Sequence, residues 1–134
     1  MLLDTSGLLF HQYSDEKHHL PALRLFESSN KKLTHSYVLA EFLALVTARR
    51  LNRAQALAFL RHLPLHPLVE IVWVDRRLHE QALTLLEARP DKTYSLCDAV
   101  SFVLMKERGL LEALTTDHHF EQEGFRRLLG NEEL

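Results

Sequence analysis

The chain has a single cysteine, Cys97, in 134 residues, so no disulfide can staple it internally. One thiol fits a reducing compartment, and a cytoplasmic location is expected. No apolar run approaches the ~20 residues that a membrane span requires. The opening Met-Leu-Leu-Asp has no basic stretch ahead of a hydrophobic segment, so no secretory leader is read there. Repeats, low-complexity tracts and Gly/Ser linkers are also missing, and the length suits one domain over residues 1–134. Nor is positive charge in excess: 16 Lys and Arg face 18 Asp and Glu, a formal net charge of −2. That balance is unfavourable for a nucleic-acid binder. The objection falls away if four acids share a cation site, because 16 basic residues then face only 14 remaining acids.

What is present is a repeated switch between short apolar runs and longer helical stretches. Residues 1–4, 32–34, 69–74, 113–116 and 125–128 read as short strands, the third by its Val-Glu-Ile-Val-Trp-Val content. Helices are expected from about Leu8 through the twenties with a break near Pro21, then over residues 36–50, 53–62, 78–88 and 95–108. Pro64 and Pro67 close the third of these, and Gly109 stops the last. Asp75, followed by Arg76 and Arg77, reads as the cap of the next helix. Strands alternating with helices of about three turns predict an α/β fold around a mainly parallel sheet. Sites in such sheets form beyond the carboxyl ends of the strands.

Most acids lie in polar stretches, such as Asp15-Glu16, residues 121–123 and Glu132-Glu133. Four do not. Asp4 and Asp117 each follow an apolar strand. Glu41 has Tyr37, Val38, Ala44, Leu45 and Ala48 as its helical neighbours, none of them charged, which predicts a buried carboxylate. Asp98 shares a face with Phe102 and Met105, beside Ser95 and Ser101. Each has a local alternative. Ser95-x-x-Asp98 suits a capping box, Asp4 and Asp117 could cap following helices, and Glu41 could pair with a buried arginine. Taken together, two strand ends and two helix faces can bring four carboxylates to one point. Such a cluster calls for hard divalent cations, Mg²⁺ or Mn²⁺.

These segments resemble the PIN-domain nucleases, and most closely the VapC-type toxins of bacterial toxin–antitoxin pairs. The resemblance is carried by Leu3-Asp4-Thr5-Ser6-Gly7-Leu8-Leu9, Ser36-Tyr37-Val38-Leu39-Ala40-Glu41, residues 95–102 (Ser-Leu-Cys-Asp-Ala-Val-Ser-Phe) and residues 114–120 (Leu-Thr-Thr-Asp-His-His-Phe). Their order, with Phe120 and Phe125 in a closing Phe-x-x-x-Gly-Phe, runs from residue 4 to about 128. The resemblance implies a three-layer α/β/α sandwich with a central, mainly parallel sheet. It implies Asp4, Glu41, Asp98 and Asp117 as catalytic metal ligands, with Thr5 or Ser6 and Thr115 or Thr116 as supporting hydroxyls. It also implies a homodimer and a small antitoxin partner. Many relatives carry a further acid two residues after the last aspartate, where this chain has His119, so one or two cations stay open.

The chemistry expected is metal-assisted hydrolysis of RNA phosphodiesters, with no Ser/His or Cys/His nucleophile required. Arg49, Arg50 and Arg53, and separately Arg76 and Arg77, are candidates for phosphate contacts; the alternative is a solvated helix end or turn. Tyr13 and Tyr94 are candidates for base stacking, with packing as their alternative. Nine histidines invite a zinc reading, but no His-Glu-x-x-His or cysteine pair accompanies them. His118 and His119 are the exceptions worth locating, and Cys97 is expected to pack as a small apolar residue. Two rivals stand. An aspartate-based phosphotransfer domain would usually show Asp-x-Asp where this chain has Asp4-Thr5-Ser6, or a receiver's late lysine. A non-catalytic PIN-like module binding RNA or protein would need no cation in the cluster.

Overall fold

A computed structural model describes residues 1–130. The acids expected in solvent at 132 and 133 lie outside the described residues. Five strands are present: β1 (Leu2–Leu3), β2 (Lys32–His35), β3 (Val69–Val72), β4 (Glu112–Leu114) and β5 (Arg126–Arg127). Seven helices connect or follow them: α1 (Thr5–Gln12), α2 (His19–Ser28), α3 (Ser36–Ala48), α4 (Arg53–His62), α5 (Arg76–Glu87), α6 (Leu96–Arg108) and α7 (His119–Gln122). The strand order is β3-β2-β1-β4-β5, and every pairing is parallel. Successive strands step outward from β1 through β2 to β3, and the chain then returns to place β4 on the other side of β1. The order therefore reverses between β1 and β4, the kind of crevice where open parallel sheets hold their ligands.

Side-chain alternation builds the layers. Leu3 and Leu114 point into a core shared with α1, α2, α3 and α4, through Leu8, Phe26, Phe42 and Ala56. Leu2 and Ala113 point the other way, onto Leu78 of α5, Phe102 of α6 and Phe120 of α7. Both sheet faces are covered, which is why the strands read as continuous apolar runs. The result is the expected α/β/α sandwich.

Several local expectations are met by specific bonds. Asp75 accepts the Leu78 N–H at 2.8 Å, capping α5. Ser95 and Asp98 form a full capping box, each side chain accepting the other's backbone N–H at 3.0 Å. Gly109 ends α6 in the left-handed conformation, at φ 66°. Others are corrected. The break in the first helical stretch falls at residues 13–18, and Pro21 lies in the first turn of α2, where its missing N–H costs no helical bond. Pro64 sits within a 3₁₀ turn, Leu63–Leu65, that continues α4. Glu123 is not a solvent acid. It accepts from Arg89 (3.1 and 2.9 Å), Tyr94 (3.0 Å) and Lys106 (2.7 Å), tying α6 and the segment between α5 and α6 to the end of α7. Although burial opposes ionisation, these donors hold its carboxyl down to about 2.

Gly7 fixes how α1 meets the sheet. A Cβ there would fall on the Leu114 carbonyl of β4, so the helix lies directly against the strand backbone. Gly7→Ala must push the two apart, and a loss of about 1–3 kcal/mol is expected. Denaturant unfolding measures it, and an unchanged midpoint would contradict this packing.

Candidate active site

The crevice between β1 and β4 carries the acids. Asp4 leaves the end of β1 with its N–H bonded to the Leu114 carbonyl at 3.2 Å. Its side chain is buried, at 4% exposure. Oδ2 accepts the Thr115 hydroxyl at 2.7 Å, while Oδ1 has no hydrogen-bond partner among the described residues. Thr115 also accepts the Asp117 N–H at 3.0 Å, so one hydroxyl sets the relation between the two strand-end aspartates. Ser6 accepts the Thr116 N–H at 3.0 Å and lies 3.3 Å from the Thr115 hydroxyl. Thr5 donates to Glu41 Oε1 at 2.6 Å, joining α1 to α3. Three of the four expected supporting hydroxyls thus bond within the cluster. Thr116 takes part through its backbone.

Asp98 enters from the first turn of α6. Its Oδ2 is shared between the Ser95 N–H and His119 Nδ1, each at 3.0 Å. The capping role and the place in the cluster are therefore compatible. Asp117 accepts the His119 N–H at 2.9 Å, and His119 Nδ1 lies 3.4 Å from the same oxygen. Asp117, His118 and His119 bring one possible ligand atom each to within 4.8 Å of one another, as do Asp4, Glu41 and Cys97. Cys97 is buried as expected, but beside two of the acids instead of in a purely apolar setting. Its adjacency to Asp98 was the signal for that placement.

Glu41 departs from expectation. It is exposed, not buried, and meets no arginine. The α3 core stripe is Val38, Phe42 and Val46, at spacings of four. Glu41 with Ala44 and Leu45 instead lines an open cleft of about 480 Å³, shared with Asp4, Thr5, Ser6, Thr116 and Asp117. Two larger clefts, of about 690 and 770 Å³, open at the amino ends of the strands. Their acids, Glu70, Glu112 and Glu121, are each paired with an arginine, so no lining carboxylate there is left to hold a cation.

None of the five arginines singled out in the sequence lines the smaller cleft. Arg49 pairs with Glu16 at 2.7 Å, Arg76 with Glu80 at 3.0 Å and Arg77 with Glu107 at 3.3 Å. Arg50 and Arg53 are exposed, and Arg50 holds a left-handed φ of 57°. Tyr13 and Tyr94 are packing residues. The first donates to the Asn52 carbonyl at 2.7 Å, and the second to Glu123 while its ring meets Phe102 and His119 edge-on.

The electrostatics favour a cation. Burial pushes the Asp4 carboxyl up to about 7, and Asp98 and Glu41 add to the rise, against hydrogen bonds from Thr115 and the Thr5 N–H. Burial, with Asp117 nearby, also raises Asp98, which Ser95 and His119 partly offset. An unpartnered buried oxygen among mutually repelling carboxyls suits an oxygen-seeking divalent ion. Without one, folded Asp4 keeps between about pH 4 and 7 a proton that the unfolded chain, titrating at 3.8, has lost. The cation-free fold therefore loses stability as pH rises through that window. Asp4→Asn removes the penalty. At pH 8 without divalent ions it is expected to melt roughly 5 °C or more above wild type, with the gap closing toward pH 4. A variant melting below wild type at pH 8 would contradict the assignment.

Comparison with known proteins agrees with this architecture. The sequence pattern of the PIN domain family matches residues 1–125. The chain is 32% identical over 126 residues to the 23S rRNA-specific endonuclease VapC20 of Mycobacterium tuberculosis, in strains CDC 1551 / Oshkosh and ATCC 25618 / H37Rv. The match covers 93% of this chain and 95% of the relative. The crystal structure of M. tuberculosis VapC20, described as a Sarcin-Ricin loop cleaving toxin, superimposes with a TM-score of 0.83 at 30% identity. That superposition covers 92% of this chain and 95% of the other. The fold, the crevice and the sequence pattern agree, and the chain belongs to the PIN domain family.

Proposed function

We propose that residues 1–134 act as one nuclease domain, a divalent-metal-dependent endoribonuclease that serves as the toxin of a toxin–antitoxin pair. The observation that carries this reading is the gathering of Asp4, Glu41, Asp98 and Asp117 beside the unpartnered Oδ1 of Asp4. These four would hold Mg²⁺ or Mn²⁺, which, when bound, lowers the barrier to water attack and steadies the departing oxygen. Thr115 orients Asp4 and the Asp117 backbone, and Thr5 orients Glu41. Asp98 is braced through its Oδ2 by Ser95 and His119, which leaves Oδ1 as the oxygen that would take up a cation.

Relatives named as 23S rRNA endonucleases make a structured ribosomal RNA the first substrate to examine, and the sarcin–ricin loop the first element within it. Arg50 and Arg53, the two of those five arginines with no acidic partner among the described residues, are the candidates for backbone phosphates, to which basic side chains contribute most of the sequence-independent affinity. Arg49, Arg76 and Arg77 would have to leave their partners first. A homodimer, restrained by a small antitoxin that covers the cleft, completes the reading. Its place of action is the cytoplasm. No helix among the described residues is long and apolar enough to cross a membrane.

Cleavage of a 23S rRNA fragment containing that loop tests the proposal. Wild type is expected to cut it with Mg²⁺ or Mn²⁺ and to stop on chelation. Asp4→Asn and Asp98→Asn should each lose about a hundredfold or more, the upper end seen even for groups that only support a ligand. RNA retained without cleavage by wild type would favour the non-catalytic module. Full cleavage by both variants would sink the ligand assignment.

A further inference from the structure

Within α6, the buried apolar residues Ala99, Val100, Phe102, Leu104 and Met105 pack beside α5 and α7. Cys97 does not. It joins the opposite core, with residues of α1 and α3, and so stands behind the acidic cleft. There its sulfur lies within 4.8 Å of an oxygen of Asp4 and an oxygen of Glu41. The Thr5 hydroxyl donates to Glu41 in the same pocket, and burial, with Glu41, Asp4 and Asp98 nearby, pushes the Cys97 thiol up, so it stays protonated until a cation displaces the proton. The buried Oδ1 of Asp4 has no hydrogen-bond partner among the described residues, so an acceptor waits in the same pocket.

We propose that Asp4, Glu41 and Cys97 form a mixed oxygen–sulfur ligand set that takes a thiophilic divalent cation, Zn²⁺ or Cd²⁺, in competition with Mg²⁺ or Mn²⁺. The inference rests on reading the carboxylates as a cation site and adds a soft ligand that such a site does not need. Carboxylates alone suit hard ions, whereas a thiolate shifts preference toward zinc and its softer relatives. Ligands about 2.0–2.3 Å from one tetrahedral ion lie roughly 3.3–3.6 Å apart. A set already within 4.8 Å therefore has to close by no more than about 1.5 Å, and Glu41, exposed on a long side chain, can supply much of that movement. As the metal–sulfur bond forms, the S–H bond breaks heterolytically, the sulfur keeps the electron pair, and the proton passes to solvent. No oxidation or reduction is involved. Because Asp4 and Glu41 serve both kinds of ion, a thiophilic ion seated here displaces the activating one. Zn²⁺ is then an inhibitor of cleavage, not a cofactor.

Full-length protein titrated with Co²⁺ provides the direct readout, since cobalt bonded to a thiolate absorbs strongly in the near ultraviolet and cobalt bonded only to oxygen does not. Wild type should develop that absorption, and Zn²⁺ or Cd²⁺ should abolish it. Cys97→Ser, which nearly preserves side-chain volume, should lack the band. Its Zn²⁺ affinity relative to its Mn²⁺ affinity should fall by about tenfold or more. Cys97→Ala, checked for folding by circular dichroism, should behave alike. A wild type that binds Co²⁺ without the band, or an unchanged Zn²⁺ to Mn²⁺ ratio in both variants, overturns the proposal. Mn²⁺ binding, followed by loss of the free-ion paramagnetic signal, separates the two readings. If wild type binds Mn²⁺ and Asp4→Asn does not, failure of the cobalt experiment falls on Cys97 alone. If wild type binds neither ion, the cation site itself is refuted along with the sulfur ligand.

Discussion

Asp4 carries a carboxyl group into a place that water scarcely reaches, with one oxygen bonded to Thr115 and the other without a hydrogen-bond partner among the described residues. An unpaired charge there costs several kcal/mol, and the molecule answers by raising the group's affinity for a proton. Much of the surrounding structure is an arrangement for tolerating that position. Thr115 donates to it, α1 begins beside it with backbone N–H groups, and Asp98 and Glu41 crowd it. A fold seeking only stability would place an apolar residue at this strand end. Retaining the carboxyl makes sense where a positive ion is due to arrive.

The acids are held by parts of the fold that have other duties. Asp98 is an N-cap partner before it is anything else, and the helix start fixes its position to within one hydrogen bond. His119 links Asp98 to the Asp117 turn and rests edge-on against Tyr94, whose hydroxyl donates to Glu123. Glu123 in turn binds Arg89 of the segment after α5 and Lys106 of α6. The turn bearing Asp117 is thereby fastened to the helices on the far face of the sheet. Groups fastened on all sides in this way are suited to electrostatic preorganisation, in which little rearranges when charge develops.

Much of this was legible in the residues. Short apolar runs marked the strands, only β3 through its β-branched content, and Asp75 and Ser95 were readable as caps because capping depends on neighbours within four positions. Asp4 and Asp117 were legible because a strand that ends on an acid presents it at a sheet edge. Glu41 was legible as unusual but not as exposed. Its helical neighbours are apolar, and whether a neighbouring element covers them is decided by tertiary packing that no local pattern contains. Glu123 was hidden for the same reason, its partners being 17 to 34 residues away. The short α7 was missed because four residues carry too little periodicity to register.

The bond from Thr115 to Asp4 spans 111 residues, and that from the Thr116 N–H to Ser6 spans 110. The central strand β1 stands without its β4 neighbour until that late segment has been made. Chains emerge amino end first, so during synthesis the first acid waits, incompletely surrounded, for the last. The crevice closes only when the segment around Asp4 and Ser6 meets the segment around Thr115 and Thr116. No pairing among residues ahead of β4 can build the site, so the carboxyl cluster comes together late in folding, after the sheet's first three strands.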